Sequence, residues 1–358
     1  MIKHGFADVS FNADLSNIMD AIPPDILRLG HEQMLTGSTW RFLTRPIEGC
    51  YVGWHIGDLF REGTYGKIYR AERMVVRKRE DGLFDVVEGP HEVVIKRVEA
   101  DGAQLTPDET SAHASEALLH ILAWQTMSVI APWSIPQPYE LFGDTKSMSL
   151  CMSYVNGRTL YSYFQKTWDA AKREENTRMF LEIIGQVAFI LWHLQERLCM
   201  NHRDLKVNNI LIRRRTAVTL EMPPSALTTG YEVTLIDFGF ACVGCPTTIM
   251  QAGSWFSEKD LCCRAGRDIA HLIFCIHCYF PLGTFLTPAV YAMVVEWMTV
   301  TYRGGSVNIL QGFTKEGRPR KGKLTYDTGI YEFLRKPEVD PPCDPVTIFR
   351  ACASPTKT

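Results

Sequence analysis

Asp204, Lys206 and Asn209 stand in one short run, His202-Arg203-Asp204-Leu205-Lys206-Val207-Asn208-Asn209. Asp204 can accept a hydrogen bond from a substrate hydroxyl, Lys206 can steady a transferring phosphoryl group, and Asn209 can hold a metal ion. Further on, Ile236-Asp237-Phe238-Gly239 closes an apolar strand with a carboxylate and a flexible glycine, as a Mg2+ ligand requires. Upstream, Gly63-Thr64-Tyr65-Gly66 lies between two strands, where glycines let backbone N–H groups approach polyphosphate oxygens. Val93-Val94-Ile95-Lys96 ends an apolar strand on a lysine. A lysine in a buried strand needs an anion, either a phosphate or a carboxylate such as Glu116. A glycine turn or a strand-edge lysine is ordinary alone. The four runs in this order are not.

These groups need elements to hold them. Residues 51–60, 67–74, 92–98, 138–142 and 148–155 read as five strands, and 77–89, with its Asp-Gly, as a hairpin insertion. Residues 115–124 have helical spacing after Thr106-Pro107-Asp108-Glu109, a good helix start, which puts one helix between the third and fourth strands. Residues 178–197 are apolar on most faces, as a buried helix is, and 268–279 and 289–302 read as two more helices. Residues 1–50 are polar and irregular apart from a short helical stretch at 24–33, and no chemistry falls to them.

The chain has 358 residues, a formal net charge of −2 and 46% hydrophobic residues, enough for two domains or one fold with two lobes. Near-neutral charge argues against bulk nucleic-acid binding. The expectation is no membrane partner, because no stretch reaches the roughly 18 apolar residues that cross a bilayer. Eleven cysteines in a chain this long favour free thiols, hence the cytoplasm or the nucleus. The basic run at 315–323 reads as a solvated loop, with a nuclear signal or phosphate-binding patch as the alternative.

On the four runs, the sequence resembles the eukaryotic-type protein kinase family, from about Trp54 to Phe280. The resemblance implies an α+β bilobal fold: a small antiparallel N-lobe of five strands with one helix (51–155) and a mainly helical C-lobe (156–358), after an extension over 1–50. It implies an enzyme that uses ATP and Mg2+ and takes a protein substrate. The nucleotide-binding loop maps onto Phe60, Arg61, Glu62, Gly63, Thr64, Tyr65, Gly66 and Ile68. Lys96 pairs with Glu116 rather than Glu109, which lies too near the helix start. Leu150–Gly157 resembles the connection between lobes, with Met152 behind the adenine and Leu211 beneath it. Asp237 and Asn209 hold Mg2+, Asp204 is the base, Lys206 neutralises charge, and Asp268 anchors the catalytic loop. The resemblance further implies that Arg203 pairs with a phosphate on the segment before Asp268, where Thr247, Thr248, Ser254 and Ser257 are the candidate acceptors, Thr247 or Thr248 foremost. Leu205-Lys206 is similar to the serine/threonine-directed branch, and the compact pattern is similar to kinases of large DNA viruses.

Arg61 stands where the family has the first glycine of its loop, which keeps a second reading open: a pseudokinase that binds or scaffolds without transfer. Val207 replaces a common proline, and no Ala-Pro-Glu closes the segment after Asp237. Cys242, Cys245, Cys262 and Cys263 have spacing that suits zinc, but the plainer reading is free cysteines used as small hydrophobes.

Overall fold

The computed structural model describes residues 39–42 and most of 50–354, apart from 64–65, 82, 103, 144–145, 246–247, 252–262, 313–328, 335, 337–338 and 340–343. The helical stretch expected at 24–33 and the basic run at 315–323 lie outside the described residues.

The N-terminal half is one antiparallel sheet. Strands β1 (Thr39–Phe42), β2 (Cys50–Gly63), β3 (Gly66–Lys78) and β4 (Phe84–Glu99) precede helix α1 (Pro107–Ser128), and β5 (Pro138–Gly143) and β6 (Ser147–Ser153) follow it. The order across the sheet is β1-β5-β6-β4-β3-β2. All five expected strands are present, and the hairpin insertion is the far end of β3 and β4, paired from Val76 and Val86 to Lys78 and Phe84. The sixth strand, β1, comes from the extension, where the sequence suggested no strand, and adds to the β5 edge.

Alternation along the strands gives the sheet two different faces. Val93, Ile95, Ala71 and Cys151 form an outer cluster with Trp54, Tyr139 and Phe142 packed on it. Arg73 is buried there against Glu140, Nε to Oε1 2.7 Å, because a charge taken out of water needs a partner. The inner face carries Lys96, Leu150 and Leu141 in register, with α1 packed against β5 and β6. Helix α1 starts where the sequence expected. Thr106 Oγ1 accepts from the Glu109 N–H at 3.2 Å, and the Glu109 carboxylate accepts from the Thr106 N–H at 2.8 Å. Glu109 is therefore occupied as a cap, and Glu116 lies two turns further into the helix.

The second half packs around α3 (Arg173–Leu198), which follows β7 (Arg158–Thr159) and α2 (Leu160–Thr167). By length and composition α3 could cross a membrane, but 83% of its most apolar window is buried inside the protein, as in the core helix of a lobe. Strand β8 (Met200–Asn201) and the long hairpin β9 (Ile210–Met222) and β10 (Ser225–Leu235) follow, then β11 (Cys242–Cys245) and β12 (Thr248–Gln251). Helices α4 (Arg267–Tyr279), α5 (Leu282–Phe285) and α6 (Pro288–Trp297) complete the core.

Two expectations need correction. The helix expected over 289–302 stops at Trp297, and β13 (Thr299–Tyr302) turns back as β14 (Gly305–Asn308). Thr-Val-Thr-Tyr alternates exposed and buried, and Arg303 and Gly304 both have positive φ, 51° and 75°, as the tightest hairpin turns require. The free-thiol reading fails at Cys242, which is disulfide-bonded, although Cys50, Cys151, Cys199, Cys263, Cys275, Cys278 and Cys352 keep their thiols. Pairing follows proximity in space, which spacing along the chain does not reveal. Short helices α7 (Gly329–Leu334) and α8 (Pro345–Ala353) close the described chain, α8 against α3.

Candidate active site

Two loops carry most of the chemistry-bearing residues, and strands on either side hold them together. Residues 202–209 run from β8 to β9, and 236–241 from β10 to β11. Strand β9 pairs with β10, Ile210 opposite Leu235, and β8 pairs with β11, Asn201 opposite Cys242. Each loop is thus tied to the other at both ends. The Ile236 N–H also donates to the Asn209 carbonyl at 3.0 Å, which sets Asn209 beside Asp237.

Asp268 fixes the first loop from the start of α4. Its Oδ2 accepts from the His202 N–H at 2.8 Å and from Asn201 Nδ2 at 3.0 Å, and its Oδ1 accepts from the Arg203 N–H at 2.8 Å. A carboxylate holding three donors is rigid, and it sits buried at a helix N-terminus that favours its charge. Arg203 at φ 64° and Asp237 at φ 68° are both left-handed without being glycine. Such a conformation costs on the order of 1–3 kcal/mol and persists only where its surroundings over-determine it.

Asp204 is buried, and its Oδ2 accepts from Lys206 Nζ at 2.7 Å and from Asn209 Nδ2 at 2.9 Å. Asn209 also donates to the Asp204 carbonyl at 2.9 Å. Across the cleft, Lys96 Nζ lies 2.5 Å from Glu116 Oε1 and 2.9 Å from Asp237 Oδ1. Burial opposes the Lys96 charge, but the carboxylates of Asp237 and Glu116 outweigh it and hold the ammonium above its ordinary range. Burial likewise works against the Glu116 carboxylate, and Lys96, with His113, overcomes it and holds the group well below the usual carboxylate range. The sheet and the second loop meet at this ion triad. The donor set fits a nucleotide-bound Mg2+: Asp237 and the amide oxygen of Asn209 are hard ligands, and two protein ligands suffice when phosphates supply the others.

Ile68 stands opposite Lys96, and Met152 opposite Val94, so Ile68, Val94, Lys96 and Met152 share the inner face of the sheet. Leu211 lies opposite Thr159 in β9, with Gly157 close against it. Phe60, Arg61 and Glu62 lie in β2, and Gly63 pairs with Gly66 at the turn. Thr64 and Tyr65 lie outside the described residues, as do Thr247, Ser254 and Ser257, while Thr248 starts β12. Gly66 is at φ +133°, and a Cβ there would meet the Arg97 carbonyl oxygen at 2.6 Å. Gly66→Ala should therefore lower the urea midpoint by an amount equivalent to roughly 1–3 kcal/mol. An unchanged midpoint would show that the turn shifts aside freely.

The sequence reading missed His120. It lies one helical turn after Glu116, on the same face of α1, a spacing that could have found it. Its ring packs on buried Phe238 at 5.3 Å, and the His202 ring packs there at 4.9 Å. His120 Nε2–H donates to the Pro136 carbonyl at 2.7 Å. Burial of the His120 ring lowers its pKa from 6.5 to about 4. The folded chain stays neutral there while the unfolded chain takes up a proton, so stability falls as pH drops from about 6.5 towards 4. This group's share approaches about 3 kcal/mol at the lower end. In urea titrations at pH 7 and pH 4.5, His120→Leu should lose less stability between the two than the parent does. Equal losses would assign the acid sensitivity to other groups.

Residues 90–253 match the protein kinase domain family model. The matched stretch contains Lys96, Glu116, both loops and Asp237, and leaves the glycine turn and Asp268 outside. The chain is also 29% identical over 126 residues to serine/threonine-protein kinase Nek8 of Danio rerio, across 35% of this chain and 16% of that protein. The chain thus spans well under two thirds of this relative's length.

Proposed function

We propose that the chain, whose residues 90–253 match the protein kinase domain family model, transfers the γ-phosphoryl group of Mg-ATP to serine and threonine hydroxyls of protein substrates. One observation carries this reading: Lys96 bridges Glu116 and Asp237, while Lys206 and Asn209 grip Asp204. Lys96, steadied by Glu116, meets the α- and β-phosphates. Asp237 and Asn209 hold Mg2+, which when bound supplies charge neutralisation between phosphate oxygens. Asp204 orients the acceptor hydroxyl and takes its proton. Lys206, already beside Asp204, balances charge on the transferring group. Met152, Leu211, Ile68 and Phe60 enclose the base, and the backbone of 61–66 covers the phosphates. The preference for serine and threonine rests on Leu205-Lys206 and on the name of the relative.

The pseudokinase reading draws on Arg61, which stands in regular pairing with Ile68 where the family loop has glycine. Incubation with radiolabelled ATP, Mg2+ and generic protein acceptors, followed by phosphoamino-acid analysis, separates the readings. Phosphoserine and phosphothreonine are expected. Mainly phosphotyrosine would overturn the specificity, and nucleotide binding without transfer would favour the pseudokinase.

A further inference from the structure

Over the proposed nucleotide site, the end of β2 and the glycine turn form a roof, and next to Arg61 this roof carries a second arrangement. Between Leu59, opposite Tyr69, and Arg61, opposite Ile68, strand β2 advances two residues while β3 advances one. Phe60 is the extra residue of this bulge. A bulge turns its side chain out of the regular alternation, and bulges gather beside active sites for that reason. The Phe60 ring meets Tyr154 edge-on, with centroids 6.4 Å apart and planes at 90°. Arg70 of β3 lies over both rings, its guanidinium carbon 4.4 Å from the Tyr154 centroid and 5.7 Å from that of Phe60. Tyr154 follows β6 in the connection between lobes, and its N–H donates to the Glu92 carbonyl at 3.2 Å. Arg70 stands opposite Val94 and therefore shares the inner face with Lys96, Ile68 and Met152.

We propose that Arg70 is a positioning residue for the nucleotide: it clamps Phe60 to Tyr154, ties the roof to the connection between lobes, and thereby slows nucleotide release. The inference rests on the nucleotide site proposed above. A nucleotide held beneath this roof leaves when the roof lifts away from the connection between lobes. That movement must break the contacts of Arg70 and Phe60 with the Tyr154 ring. A cation over two aromatic faces at an exposed site is worth a several-fold change in an equilibrium or a rate. Such changes fall mainly on dissociation.

The test is stopped-flow dissociation of mant-ADP and mant-ATP from the full chain, with steady-state kinetics alongside. Arg70→Ala should speed release of both about three- to tenfold. KM for ATP should rise and kcat should not fall, a split that loss of fold would not produce. Phe60→Ala should also speed release, and the Arg70→Ala, Phe60→Ala pair should be no more than about twofold faster than the faster single variant, because both break one unit. Unchanged release in Arg70→Ala, or effects that simply multiply, would overturn the clamp. An effect much larger for mant-ATP than for mant-ADP would overturn it in favour of a direct phosphate contact. Absence of saturable mant-ADP binding in the parent protein would instead remove the nucleotide site itself, and the clamp with it.

Discussion

Asp204→Asn should lower kcat for protein phosphorylation by about 10²- to 10⁴-fold while leaving nucleotide affinity within a few fold. The amide cannot take the acceptor's proton, yet it keeps the shape that Lys206 and Asn209 grip at 2.7 and 2.9 Å. Asn209 Nδ2 also holds the Asp204 carbonyl, so the loop retains its path when the side-chain charge is lost. Asp237→Asn supplies the contrast. It removes the carboxylate proposed to hold Mg2+, one of the two on Lys96, so nucleotide affinity should fall together with turnover. Titration with a fluorescent nucleotide in the presence of Mg2+, next to a transfer assay, reads both quantities. Equal loss of affinity in the two variants would contradict the division of labour.

Lys96→Met should be the most disruptive change to the sheet side of the site. Side chains of Lys96 and Glu116 are 13% and 9% exposed, so the methionine would leave a carboxylate buried without its cation. Breaking a buried pair from one side costs about 3–5 kcal/mol, and the usual escape is protonation. Glu116 is held well below the usual carboxylate range mainly through Lys96, which works against burial; without it, burial would push the group upward. The variant should therefore lose nucleotide binding and transfer, show a lower melting temperature, and recover part of its stability in Lys96→Met, Glu116→Gln, where the buried charge of Glu116 is removed as well. Recovery of stability without recovery of activity is the expected pattern. A single variant as stable as the parent would mean that water reaches Glu116 and that the pair contributes position alone.

The site was legible because its parts are local. Each run of residues that touches phosphate chemistry is short, and the capping role of Glu109 could be read from Thr106-Pro107-Asp108-Glu109, which left Glu116 for Lys96. The five strands were legible from their two-residue alternation. Only the end of β10 before Asp237 was read as a strand; the β9 side of that hairpin was not, because Arg213-Arg214-Arg215-Thr216 interrupts the apolar pattern. Its charges are answered across the strands instead: Glu232 accepts from both Arg213 and Arg215, and Arg214 donates to the Tyr163 hydroxyl at 3.0 Å. Strand β1 escaped for a different reason. Four residues carry little periodicity, and their place comes from the free edge of β5. His120 and Arg70 escaped because neither belongs to a run; each acts through rings that only the fold brings near.

The hairpin that eluded the sequence is also a mechanical part with two independent ends. Asn209 leads into its open end and Asp237 follows from it, while Pro223 and Pro224 form an exposed tip more than ten residues away along each strand. Between them Ile212 and Val233 are buried in the lobe, so movement at the tip is absorbed before it reaches the loops. An exposed tip joined to a clamped base tolerates added chain. A peptide tag or a fluorophore at positions 223–224 would ride on the same hairpin that sets Asn209 and Asp237 and would not disturb them, which gives a reporter on this lobe without touching either terminus.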